Sequence, residues 1–264
     1  MNIFFRELKS NLKSLLIWSV IIVLLVVVGM AKFSAYYNNP SALEILNSFP
    51  KSVLDAMSLK AFNLTTLSGL FGLMFIYYAL LGGIAAAMWG SDSISKEERD
   101  KTVEFSLVLP VTRSRVITAK ALAALVNCIV FVLVTWAISL AVARPYNPDQ
   151  AFFSFLRLQM VAMFIIELIF LALGILLGCV MKQYKLSGST AVTIILATYI
   201  ISIITSIDSK LNFLNNFTPF KYFDAGEMLR TGQLNIGYVL LSAGIIVVCL
   251  VVAYLTYERR DLYI

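Results

Sequence analysis

Glu167 is the residue that most invites a chemical reading, because it is a carboxylate in the middle of a long apolar run. An ionised carboxyl at the depth of a bilayer costs several kcal/mol, so it must face protein or water, or carry a proton. Two roles stay open for this candidate intramembrane polar site: contact with a cation or a substrate, or a hydrogen bond between packed helices. Arg157, ten residues earlier, stands about 15 Å away along a helix and is not its direct partner. The chain has no histidine, which removes imidazole as base, metal ligand or proton relay. Cys128, Cys179 and Cys249 lie far apart in apolar runs and read as small buried residues, not as a disulfide or metal set. There is no GxxxxGK[ST] phosphate cradle and no GxSxG elbow, so no catalytic, cofactor-binding or metal residue is assigned.

The other informative stretch is charged: residues 90–118, which include Ser95-Lys-Glu-Glu-Arg-Asp-Lys-Thr-Val-Glu-Phe105 and Pro110. Ser95-x-x-Glu98 fits a capping box and predicts a helix start. Glu97 and Lys101 stand four apart in the favourable order, and Val103 and Leu107 share a face. Pro110 ends the helix, since it has no N–H to donate. A short charged helix in a loop is therefore expected, either merely solvated or docked on a partner.

What must position these residues is set by composition. Of 264 residues, 60% are hydrophobic and only 14% charged, and the mean hydropathy is +0.86. That balance is too apolar for a soluble domain. A spanning helix needs about 20 mostly apolar residues. Six runs qualify, at about 15–35, 66–89, 119–143, 153–181, 187–207 and 236–257. They do not alternate in polarity as barrel strands do. The expected fold is an all-α integral membrane protein of six transmembrane helices, one membrane domain over 1–264. The first run is longer than a signal-peptide core and is read as a retained anchor.

Basic residues set the orientation. Most of the 21 Lys+Arg fall in 1–14, 90–120, 182–186 and 258–264, so both termini are placed in the cytoplasm and the chain in the inner (plasma) membrane. The net charge of +6 then reads as affinity for anionic lipid, and no nucleic-acid signature accompanies it. In residues 1–14, Phe4, Leu8 and Leu12 recur every fourth position opposite Arg6, Lys9 and Lys13, which predicts an amphipathic interfacial helix. The alternative is a plain extension of the first span. Short helices are expected in 38–65, and 208–235 is expected to dip into the outer leaflet. Gly174-x-x-x-Gly178 permits close helix approach, within the chain or between copies. Tyr77 and Tyr78 either line a pathway or pack.

Beside this reading stands a family resemblance. Ser95 to Phe105, then Leu107 to Pro110, Arg113 and Lys120, resemble the loop between the second and third spans of ABC-2 type exporter permeases. Thr218-Pro219-Phe220-Lys221-Tyr222-Phe223 and Arg259-Arg260-Asp261 resemble that family's marks before and after its last span. The resemblance implies a transport subunit, not an enzyme, with ATP and Mg on a separate ATP-binding cassette ATPase chain. It implies a second permease copy or a related permease chain, and an N-terminal elbow helix over 1–14. It implies that Ser95, Glu97, Glu98, Arg99, Lys101, Thr102, Glu104 and Phe105 form a coupling helix seated on the ATPase. Cargo would be a hydrophobic or amphipathic peptide, drug or antibiotic, or alternatively sodium or another small cation; outside the resemblance, the rival function is a stand-alone secondary carrier.

Overall fold

The structure is a computed structural model that describes residues 3–37, 62–99, 112–181, 183–207 and 209–259. Six long helices dominate: α1 (Ile3–Tyr36), α2 (Leu67–Arg99), α3 (Arg113–Ala143), α4 (Gln150–Val180), α5 (Tyr184–Ile207) and α6 (Ile236–Arg259). Each is long and apolar enough to cross a membrane, and no strand occurs among the described residues. A bilayer explains why helices alone suffice, because an unpaired backbone group in hydrocarbon costs several kcal/mol and a helix satisfies its own. The even number of crossings puts Ile3, Arg99, Arg113 and Arg259 at one end of the bundle, called here the Arg99 end. Leu67 and the connection from α5 to α6 lie at the other, the Leu67 end.

Three helices outrun the apolar stretches of the sequence at the Arg99 end. α1 is one unbroken helix of 34 residues, so residues 3–14 continue the first span and form no separate elbow. α2 continues for ten residues past Trp89, to Arg99. α3 already begins at Arg113. The reason is that polar residues end a hydropathy run without ending a helix, provided their side chains find partners in neighbouring helices. The predicted helix start at Ser95 is corrected for the same cause. Ser95 lies well inside α2, is buried, and donates its hydroxyl to the Ser91 carbonyl at 2.9 Å. A capping box marks a start only where the preceding backbone is not already helical.

At the Leu67 end the chain returns through short pieces: a 3₁₀ turn Arg144–Tyr146, a 3₁₀ stretch Ser209–Phe217, and helices Pro219–Tyr222 and Ala225–Thr231. Asp149 caps α4 by accepting from Phe152 N, and Asp224 caps the last short helix by accepting from Glu227 N. Gly232 ends that helix at φ 66°, the left-handed conformation that glycine adopts without strain. The short helices expected in 38–65 fall almost wholly outside the described residues.

The core is the seam between α2 and α4, the most extensive helix contact in the bundle. α2 and α4 are the most enclosed spans and α6 the most exposed. Phe71, Phe75 and Tyr78 of α2 and Phe155, Met163 and Phe170 of α4 supply its large buried side chains. The outward faces of α1 and α6, with Leu16, Val20, Leu24, Val248 and Val251, stay exposed, as suits a surface solvated by lipid.

Candidate functional site

The α2–α4 seam is built by absence of side chains. A Cβ on Gly174 would lie 2.2 Å from the Ala87 carbonyl oxygen, and one on Gly90 would lie 2.5 Å from that of Leu171. A Cβ on Gly178 would meet Ile94 at 2.9 Å. Backbones therefore touch along the seam, and the Gly174-x-x-x-Gly178 pair packs within the chain. Without a hydrophobic driving force between helices in lipid, such van der Waals contact is what holds spans together. Gln159 adds a polar tie, its amide donating to the Phe71 carbonyl at 2.9 Å.

Glu167 sits in this seam and is fully buried. Neither carboxyl oxygen has a hydrogen-bond partner among the described residues. A Cβ on Gly82 would come 2.6 Å from Oε1, so the missing side chain at Gly82 is the space the carboxyl occupies. Met163 and Phe170, one turn to either side on α4, lie over Gly82 and Gly83. Among the described residues no three His, Cys, Asp or Glu side chains cluster to hold a metal. Arg157 is on the same helix, exposed, and gives no partner. The arrangement can hold a neutral acid in tight packing, or a small cation that brings its own remaining ligands.

The Arg99 end is organised in the opposite way, by polar side chains that meet across helices. Glu7 of α1 is buried and forms an ion pair with Lys96 of α2; Arg6 lies 3.8 Å from its carboxylate. The Lys96 ammonium also donates to Ser10 at 3.2 Å, and the Trp89 indole donates to Ser14 at 3.0 Å. Lys120 of α3 is fully buried and donates to the Ser93 carbonyl at 2.7 Å. Arg113 donates to the carbonyls of Tyr257 and Glu258, at 3.4 and 3.2 Å, while Ser114 bonds the Glu258 carboxylate and Thr118 meets the Tyr254 hydroxyl at 2.7 Å. The stretch of α2 that leads to the charged loop is thereby fastened to α1 on one side and α3 on another, and α3 is fastened to α6.

Of the residues singled out in the sequence, Ser95 faces the bundle and not a partner. Glu97, Glu98 and Arg99 form the last turn of α2, with nothing described of their side chains. Lys101, Thr102, Glu104 and Phe105 lie outside the described residues, as do Pro110, Arg260 and Asp261. Sequence reasoning missed Glu7 and Trp89, and named Lys120 only within the family resemblance, not as a contact of α2. One signal for Glu7 was present, since it is the single acid among the basic residues of 1–14.

At the Leu67 end, the Thr218–Phe223 segment is pinned to the bundle. Thr218 donates to the Thr198 carbonyl at 2.8 Å, Phe220 packs on Phe170 and Tyr199, and Tyr222 stacks on Tyr238 with centroids 5.0 Å apart. Burial, with the nearby Tyr238, pushes the Tyr222 hydroxyl above its ordinary pKa. No curated protein matches the chain. A family model described as "ABC-2 family transporter protein" matches residues 1–262.

Proposed function

We infer, from a chain that belongs to the ABC-2 family of transporters, that it exports cargo by alternating access driven by a separate ATP-binding subunit. The family makes it a multi-pass transport subunit of the membrane. The finer reading assigns the loop after α2, with Glu97, Glu98, Arg99, Lys101, Thr102, Glu104 and Phe105, to the ATPase partner. ATP and Mg belong on that partner, and a second permease chain completes the path. The observation that carries this reading is the continuity of α2. One helix runs from the Leu67 end through the glycine seam to Arg99 and directly into the charged loop. Motion of a partner seated on that loop has a rigid route to the core, and the Glu7–Lys96 and Lys120–Ser93 contacts spread it to α1 and α3. The basic residues Lys96, Arg99, Arg113, Arg115 and Arg259 gather at the Arg99 end and favour placing that end, with both termini, in the cytoplasm.

Cargo on this reading is a hydrophobic or amphipathic peptide, drug or antibiotic. A second reading, export of sodium or another small cation, is favoured by one observation: the buried carboxyl of Glu167, without a hydrogen-bond partner among the described residues. Co-purification tests the coupling assignment. Glu97→Lys with Glu98→Lys reverses charge in the last turn of α2 without touching the seam. The double variant is expected to be produced and inserted normally but to lose its ATP-binding partner on a pull-down, or to lose the link between hydrolysis and transport. Assembly and transport at the parent level would remove the loop from the coupling role. Sodium flux into sealed vesicles, compared between the parent and Glu167→Gln, separates the two cargo readings.

A further inference from the structure

A cavity of about 230 Å³ opens between α2, α5 and the Thr218–Ala225 segment at the Leu67 end. Its α2 wall runs from Gly72 to Ala79, about 7 to 18 Å below Leu67 along the helix. The cavity thus starts at the level of the helix ends and reaches into the hydrocarbon. Its charged groups are concentrated in one corner. Lys221 and Asp224 face each other there at 3.8 Å, within ion-pair range but beyond hydrogen-bond distance; Lys221 is largely shielded and Asp224 is partly exposed. Asp224 commits Oδ1 to the Glu227 backbone N–H, which leaves Oδ2 toward the lysine.

The remaining wall has donors to spare. Tyr77 and Tyr199 both line the cavity, and neither hydroxyl has a hydrogen-bond partner among the described residues. Ser202 and Ser206 donate to the backbone of α5, at 2.7 and 2.9 Å, and keep their oxygens as acceptors. Aromatic rings complete the surface, with Phe220 edge-on to Tyr199 at 5.7 Å.

We propose that this cavity binds the headgroup of a zwitterionic phospholipid, phosphate toward Lys221 and the tyrosine hydroxyls, ammonium toward Asp224 and the aromatic faces. A ligand of one sign would satisfy one member of the Lys221–Asp224 pair and leave the other facing it without a counter-charge. A ligand carrying both signs replaces a loose ion pair with two charge-assisted contacts. Ring faces favour an ammonium, most of all a quaternary one. Size favours a headgroup: the volume equals roughly eight waters at about 30 Å³ each, below the range of drug-sized pockets. Depth favours a lipid, since a charged corner at the helix ends over an uncharged, partly aromatic interior matches the polarity gradient of a bilayer's own amphiphiles. The site is independent of what drives transport, and its test needs no ATPase.

The test is native mass spectrometry of the full chain in a maltoside detergent, titrated with lysophosphatidylcholine. One saturable lipid per chain is expected. Lys221→Met and Asp224→Asn should each weaken it by about tenfold, and asparagine keeps the helix cap. Should Lys221→Met fail to fold, Tyr77→Phe removes a donor while sparing both charges, and about fivefold weaker binding is expected. Absence of saturable binding, or parent-level binding by Asp224→Asn and Tyr77→Phe, would overturn the proposal. So would equal affinity for lysophosphatidylglycerol, which carries the phosphate without the ammonium. Displacement of the lipid by an equal concentration of a short zwitterionic peptide would assign the cavity to a peptide instead.

Discussion

Glu7 and Glu167 are both buried carboxylates in long helices, and the structure treats them in opposite ways. Glu7 lies at the Arg99 end with Lys96 against it and Arg6 nearby. Glu167 lies in the seam with no hydrogen-bond partner among the described residues, fitted over a missing side chain at Gly82. The first region is held by side chains that can be exchanged for others, the second by backbone surfaces that cannot. A charge belongs where its counter-charge is supplied. A carboxyl without one fits only as a neutral group or as half of a site that something else completes.

The sharpest break in this comparison is expected from the seam. Gly174→Leu places a Cβ where the Ala87 carbonyl already lies, and a backbone atom cannot swing aside. The chain should lose its monodisperse peak on size-exclusion chromatography in detergent. A stable, well-behaved Gly174→Leu would mean that α2 and α4 do not touch as described. Next in size is the Arg99 end. Glu7→Leu leaves Lys96, which is only partly exposed, without its carboxylate, a loss of at most about 3 kcal/mol for a largely buried pair. Most of it should return in Glu7→Leu with Lys96→Leu, because apolar packing replaces a buried pair at little cost. Thermal unfolding of the parent, Glu7→Leu, Lys96→Leu and the double variant as a cycle checks this, and additive effects would show that the two residues do not interact.

Smaller still is Glu167→Gln, which keeps the shape of the carboxyl and removes its charge. Loss of less than about 1 kcal/mol in thermal stability is expected if the acid is neutral, and a clear gain would mark it as charged in the parent. Gly82→Ala is expected to do least among the seam glycines. Its Cβ would meet the far end of Glu167 and not a backbone atom, so the carboxyl can rotate away, and a shift of a few degrees in melting temperature would suffice to register it. A collapse like that of Gly174→Leu would show that Glu167 has no freedom to move.

The sequence made the six spans legible because an apolar run of some 20 residues has few other uses. It made Glu167 legible too, as a lone carboxylate in such a run. The Arg99 end was misread for a physical reason. In residues 1–14 an acid among bases looks like part of a solvated face, and nothing in the spacing says that Lys96, some ninety positions on, comes to meet it. Ser95-x-x-Glu98 looked like a beginning because a capping box is a local pattern. Continuity of α2 through Gly90 is a tertiary fact, settled by the backbone of α4 lying where a side chain would go. The cavity at the Leu67 end was hidden for the same reason, since Tyr77, Tyr199 and Lys221 are brought together only by the bundle.

The unbroken run of α2 has one more consequence. Its 33 residues make a rod of about 50 Å, gripped near its middle where Gly82, Gly83 and Gly90 let α4 bear on it. A rod held there acts as a lever on a fulcrum: a tilt of about 10° moves each tip by roughly 4 Å, in opposite directions, for an arm of some 24 Å. Displacement imposed at Arg99 would reappear, reversed, in the stretch from Gly72 to Ala79, which is the wall of the cavity at the far end.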